Sequence, residues 1–170
     1  MSFFDRLFGR RNANEGVRPL YNAVVAEGRA PHWYREGGVP DTIDGRFEMI
    51  AAILALVVAR LELEAEQRQT VAWLIELFVA DMDSQLREIG IGDMVVGKHV
   101  GRMMGAFGGR MGAYREGLRE GSFEAALVRN LYRGEEPPSA ALEHAAERLR
   151  AFYLGLHAAP ADSIVAGKLP

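Results

Sequence analysis

Gly92-Asp93-Met94-Val95-Val96-Gly97-Lys98-His99 matches the phosphate-cradling loop G-x-x-x-x-G-K-[ST] at every fixed position but the last. That loop needs a hydroxyl on magnesium where His99 stands, and a β-strand before it where the pattern here is helical. Both contexts fail, and the sequence reads against nucleotide binding. Asp81-Met82-Asp83 has the composition of a metal dyad. On a helix, residues two apart point about 200° from one another, so the two carboxylates cannot share a cation. Asp83 and Arg87, at i and i+4, make a helix-surface pair instead. His32, His99, His144 and His157 show neither metalloprotease nor zinc-finger spacing. His99 and Met103 lie one helical turn apart, yet one helix face cannot supply both axial ligands of a haem. The chain has no cysteine, which removes disulfides, thiolate metal sites, iron–sulfur clusters and a thiol nucleophile together. No G-x-S-x-G elbow is present. The expectation is a protein without catalytic centre, metal or cofactor.

The elements that position these residues are helical throughout. At 170 residues, 49% hydrophobic and 25% charged, the chain has the composition and length of one globular domain. Its net charge of −3 gives no reason to expect direct nucleic-acid recognition. A first helix begins near Pro19 and fails at Gly28. A segment from Arg29 to Gly45 then carries Pro31, Trp33-Tyr34, Gly37-Gly38 and Pro40 and reads as a loop with no structure of its own, within which Gly38 to Gly45 forms a rigid joint. Asp44 is expected to cap the second helix. That helix is apolar almost all round from Phe47 to Leu63, and it reads as the central core helix. A break at Glu64 to Gln67 precedes a third helix carrying Val71, Leu74, Ile75, Phe78, Met82, Leu86 and Ile89. A fifth helix starts at Ser122, and after Pro137-Pro138 a sixth, capped by Ser139, buries Leu142, Ala146, Leu149, Phe152 and Leu156. The fold class predicted is all-α: a single-domain irregular bundle of about six helices around one apolar central helix. Its parts are a flexible amphipathic N-terminal segment (1–16), a helical domain (17–157) and a flexible small-residue tail (158–170).

The fourth helix, Asp93 to Glu120, is anomalous. Gly97, Gly101, Gly105, Gly108, Gly109 and Gly112 fall within an arc of roughly 120° on it, each costing about 0.8–1 kcal/mol of helix propensity relative to alanine. Val96, Val100, Met103, Met104, Phe107, Met111, Tyr114 and Leu118 occupy adjoining positions. A bare backbone face lets another helix approach closely, and methionines adapt to varied apolar partners. Charge is uneven as well. Residues 62–93 hold eight acids and two arginines, while 98–119 hold five bases and one acid.

The longest apolar run, Met49 to Ala59, is too short for a bilayer span of about 20 residues. The N-terminus lacks the features of a secretory signal. It does place Phe4, Leu7 and Phe8 on one helical face beside Arg6, Arg10 and Arg11, a pattern suited to an anionic membrane interface. The expected location is cytoplasmic and peripheral at the inner face of the membrane.

Two stretches carry a resemblance. One is Gly38-Val39-Pro40-Asp41-Thr42-Ile43-Asp44-Gly45-Arg46-Phe47-Glu48-Met49. The other runs Phe78-Val79-Ala80-Asp81-Met82-Asp83-Ser84-Gln85-Leu86-Arg87-Glu88-Ile89-Gly90-Ile91-Gly92-Asp93 and continues through Val96-Gly97-Lys98 to Met103, Phe107, Gly109-Arg110 and Tyr114. In this order, with an apolar helix between them, they resemble the ubiquinol–cytochrome c chaperone family, assembly factors of the cytochrome bc1 complex. The likeness extends from about Tyr21 to Leu131. Its motif positions here are Pro40, Asp41, Asp44, Gly45, Arg46, Asp81, Asp83, Arg87, Gly90, Gly92 and Asp93. Gly108 stands where the family pattern has an aromatic residue.

The resemblance implies an all-helical, non-enzymatic chaperone that holds newly synthesised cytochrome b for respiratory complex III biogenesis. Mitochondrial relatives work with a small partner subunit, contact the ribosome and carry a long N-terminal extension. This chain looks like the compact bacterial form. Joined to the helix pattern, the resemblance nominates Gly97, Gly101, Gly105, Met103, Met104, Phe107, Gly109, Arg110 and Met111 as client-binding residues. The alternative is a peripheral membrane or haem-handling helical protein.

The N-terminal apolar face is too small for irreversible insertion, and each arginine near an anionic surface adds about 1 kcal/mol of attraction. Deleting Met1 to Arg11 is therefore expected to reduce binding to anionic vesicles while leaving the far-ultraviolet circular dichroism of the domain unchanged. Equal vesicle binding by both forms removes the segment's role.

Overall fold

A computed structural model describes residues 14–88 and 93–170, with side chains described at 14–84 and 105–170. A 3-10 turn at Asn14–Val17 leads into α1 (Arg18–Gly28), followed by α2 (Pro31–Arg35) and α3 (Ile43–Leu61). A second 3-10 turn, Ala65–Gln67, precedes α4 (Arg68–Glu88). Then come α5 (Asp93–Glu120), α6 (Phe123–Asn130), α7 (Ser139–Ala158) and α8 (Ala161–Val165). The described residues contain no strand. The all-α expectation holds, and its six helices are α1, α3, α4, α5, α6 and α7. Phe4, Arg6, Leu7, Phe8, Arg10, Arg11, Gly90 and Gly92 lie outside the described residues. So do the side-chain surroundings of Arg87, Asp93, Gly97, Gly101, Met103 and Met104.

The bundle is organised around α3, where every residue from Glu48 to Val58 is buried. A helix apolar on all sides must be enclosed on all sides, and α1, α4, α5 and α7 each pack against it. The α1 crossing is close because Gly28 lies over Ile50: a Cβ there would come within 2.9 Å of the Ile50 Cα. Val71, Leu74, Phe78 and Met82 seat α4, and Ala146, Leu149, Phe152 and Leu156 seat α7.

The charged residues near either end of the buried run are answered individually. Glu48 meets Arg110. Arg60 donates from Nε to the Leu156 carbonyl at 3.0 Å and from Nη2 to the Ala159 carbonyl at 3.1 Å. A buried guanidinium thus satisfies acceptors at the C-terminus of α7, where the helix dipole also favours a cation. Its Nη1 pairs with Glu64 at 2.7 Å.

Four sequence expectations are corrected. The Arg29–Gly45 segment is not without structure, since α2 forms after Ala30 with Pro31 in its first turn. It is nonetheless tied down at several points. Trp33 is buried and donates its indole N–H to the Glu27 carbonyl (2.9 Å), Tyr34 donates to Gly28 (2.7 Å), and Tyr132 donates to Gly37 (2.6 Å). The cap of α3 is Thr42, not Asp44: its hydroxyl accepts the Gly45 N–H at 3.1 Å. Asp44 falls one residue inside the helix and pairs with Arg133. Pro138 occupies the position before α7 that Ser139 was expected to hold. The segment 158–170, expected to be a tail with little to bury it, carries α8 with Ala161 and Ile164 in the core. The reason is that Ile164 finds a place the small residues around it do not advertise. Gly167, at φ +81°, then brings the chain against the Pro19 carbonyl.

Thr42→Ala is expected to lower stability by about 1 kcal/mol. Asp44→Ala removes only an exposed pair and is expected to cost less. Thermal or urea melts of the two variants check the order.

Candidate functional site

Helix α5 presents two opposite faces. Phe107 and Tyr114, seven residues apart, point inward at 1% exposure each. Phe107 continues an aromatic row with Phe78 and Phe47, with successive ring centroids 5.5 Å apart. Tyr114 meets the edge of Phe123 at 6.0 Å. Between them Arg110 donates from Nη2 to Glu48 Oε1 at 2.5 Å and lies 5.7 Å from the centre of the Phe47 ring. The pair is inside the bundle: the side chains of Arg110 and Glu48 are 15% and 6% exposed. Burial pushes the Glu48 carboxyl above its ordinary range, with Arg110 pulling the other way. Burial likewise raises the Tyr114 hydroxyl. Glu48 Oε2, Arg110 Nε and Nη1 and the Tyr114 hydroxyl have no hydrogen-bond partner among the described residues.

The opposite face is open. Gly105, Gly108, Gly109 and Gly112 are exposed, and a Cβ built on any of them meets nothing within 4 Å. Alanine would fit at all four, so internal packing does not require glycine there. Met111, at the edge of this face, is half-buried against the core. Phe107 and Arg110 must accordingly be removed from the exposed client surface expected from sequence. Phe107 belongs to the aromatic core, and Arg110 is turned inward by the buried Glu48 carboxylate.

The motif residues of the first block build the entry to α3. A Cβ on Gly45 would sit 2.0 Å from the Pro40 carbonyl oxygen, so only glycine lets the chain double back there. Arg46 Nε donates to Asp41 Oδ1 at 2.6 Å across the same turn, and this contact holds the Asp41 carboxyl below its usual range. In the second block, Asp81 accepts from the buried Tyr21 hydroxyl at 2.7 Å, tying α4 to α1. Desolvation, reinforced by this carboxylate, pushes the Tyr21 hydroxyl well up. Between the oppositely charged stretches, Arg115 and Glu62 pair at 2.5 Å.

Sequence reading passed over Glu48 and Arg60 as individuals. The signal was available: each is a charge set in or beside an apolar run, and such a charge must find a partner. Among the described residues no group of three or more His, Cys, Asp or Glu converges as a metal site. His32 and His144 do meet, with Nδ1 and Nε2 3.1 Å apart.

Among the described residues the structure is a helical bundle with an enclosed central helix and an outer helix face of bare backbone. Two comparisons give the class. The ubiquinol-cytochrome C chaperone family model matches residues 35–169. The crystal structure of the Cbp3 homolog from Brucella abortus is similar at 31% sequence identity and a TM-score of 0.79, covering 98% of this chain and 95% of that one. Nothing matched in a search of curated proteins. The chain belongs to the ubiquinol–cytochrome c chaperone family.

Removing one member of a buried ion pair strands the other, at about 3–5 kcal/mol, whereas replacing both with apolar groups is often neutral. Arg110→Met is expected to destabilise strongly and the Glu48→Leu/Arg110→Met double variant far less. The Glu48 carboxyl also titrates higher folded than unfolded, so the native state holds the proton longer. Its contribution to stability is fullest at pH values below the unfolded glutamate pKa and is lost as pH rises through the raised folded value. Urea titrations against pH are expected to show this slope in the parent and a flatter one in Glu48→Gln.

Proposed function

We propose that the protein is a non-enzymatic chaperone that holds newly made cytochrome b during assembly of the cytochrome bc1 complex, and that the outward glycine face of α5 receives a helix of that client. The observation that carries the docking face is the open space at Gly105, Gly108, Gly109 and Gly112. Four glycines inside one helix forgo about 3–4 kcal/mol of propensity relative to alanine, and the protein's own packing asks for none of them. A client helix brought close to the backbone gives them a use, through the contact that small-residue faces make between membrane helices. Met111 lies alongside, and Met103 and Met104 belong to the same helix. Family membership supports the client class. No helix among the described residues is long and apolar enough to cross a membrane, so on this reading the chaperone meets its client from the membrane surface, at the cytosolic side.

Gly105→Leu and Gly109→Leu have room for the new side chain and are expected to stay folded and helical. Both are expected to lose newly synthesised cytochrome b in pull-downs from membranes, read by mass spectrometry of the eluate. Normal recovery of cytochrome b by both folded variants removes the glycine face from recognition. Its absence from the parent protein's eluate overturns the client assignment itself.

A further inference from the structure

A cleft of about 370 Å³ opens where the α1–α2 turn faces the entry to α3, lined by Arg29, Pro31, Tyr34, Arg35, Asp41 and Arg46. Three arginines line it against one carboxylate. Asp41 engages the Nε of Arg46, and the terminal nitrogens of that fork make no hydrogen bond among the described residues. Arg29 and Arg35 make no ion pair or side-chain hydrogen bond among the described residues, so two positive charges at the cleft are unmatched. Elsewhere Arg60, Arg110, Arg115, Arg119, Arg133 and Arg150 each hold a carboxylate; what sets the cleft apart is that two arginines without one lie beside a third and a single aspartate.

The walls are fixed. Tyr34 is held by its hydrogen bond to the Gly28 carbonyl, and its hydroxyl lies within the fields of both Arg46 and Arg29. Arg46 is oriented by Asp41, and Pro31 stiffens the start of α2. The arginines are thus carried by a braced joint, and only their side chains need to order around a ligand.

From this arrangement we propose that the cleft binds a phosphate group. One carboxylate is answered by a single guanidinium fork. A phosphate, with up to two charges and oxygens directed several ways, can engage forks from different sides and neutralise both unmatched cations. The shared chemistry is a phosphate, either free or on a lipid headgroup. The site lies apart from the α5 glycine face and does not depend on the client reading.

The experiment uses the full chain, the double variant Arg29→Ala/Arg35→Ala, and the control Arg119→Ala/Arg129→Ala, which removes the same charge elsewhere on the surface. Each is titrated with inorganic phosphate by calorimetry. Each is also titrated with phosphatidylcholine vesicles containing or lacking phosphatidic acid. All three proteins keep the N-terminal segment, so its membrane contribution cancels. The parent and the control are expected to bind saturably, and the cleft variant about tenfold or more weakly. Loss of inorganic phosphate binding in the cleft variant identifies a site for a free phosphate group. A loss confined to vesicles with phosphatidic acid, without inorganic phosphate binding by any form, identifies the lipid headgroup as the source. Absence of saturable binding by the parent in both arms, or equal weakening in control and cleft variants, overturns the proposal.

Discussion

A helix with no polar side has no place at a surface, and this constraint organises the molecule. From Glu48 to Val58, α3 buries every residue, at about 1.5–3 kcal/mol for each large apolar side chain removed from water. That gain requires neighbours around the whole circumference, and the remaining helices supply them. Two buried charges come with the helix. Glu48 recruits Arg110 from α5, and Arg60 recruits the carbonyls at the end of α7. Each buried charge therefore also sets the position of an enclosing helix, because leaving it unpaired would cost several kcal/mol.

The same arrangement explains why α5 has a free face. Phe107, Arg110 and Tyr114 hold it to the core by one side, and Gly105, Gly108, Gly109 and Gly112 fall on the other. A helix so poor in propensity stays helical because tertiary packing, rather than local preference, carries most helix stability in a folded protein. Division of labour within one helix follows. The inner residues anchor it, and the outer ones can be bare backbone without loss of fold.

The joint before α3 combines structure and chemistry in a similar way. Pro40, Thr42 and Gly45 set the chain's path into the core helix, while Asp41 and Arg46 lie on the outside of the turn. A rigid turn with its charged groups facing water can carry recognition while its backbone serves the fold.

Much of this was legible in the sequence because helical periodicity is local. The apolar circumference of α3, the stripes of α4 and α7, the extent of α5 and the clustering of its glycines all follow from residue spacing. The two motif blocks were enough to suggest the family. Other decisions depended on residues distant in the chain. Spacing could place Phe107 and Arg110 beside the glycines, yet only the packed bundle shows them turned inward, because Phe78 and Glu48 come from other helices. Asp44 looked like a cap, but helix entry is decided by backbone geometry, and Thr42 stands where the hydroxyl reaches the Gly45 N–H. Ile164 alone among small residues could not announce burial, since its cavity is made by elements more than a hundred residues earlier as well as by its neighbours. Arg29, Arg35 and Arg46 are scattered in sequence, and only the turn between α1 and α3 brings them to one cleft. Residue spacing marked six of the helices and the buried stripes of α4 and α7; the pairing of charges and aromatic rings across the bundle decided which side of α5 would face the core, and packing against distant elements made room for α2 and α8.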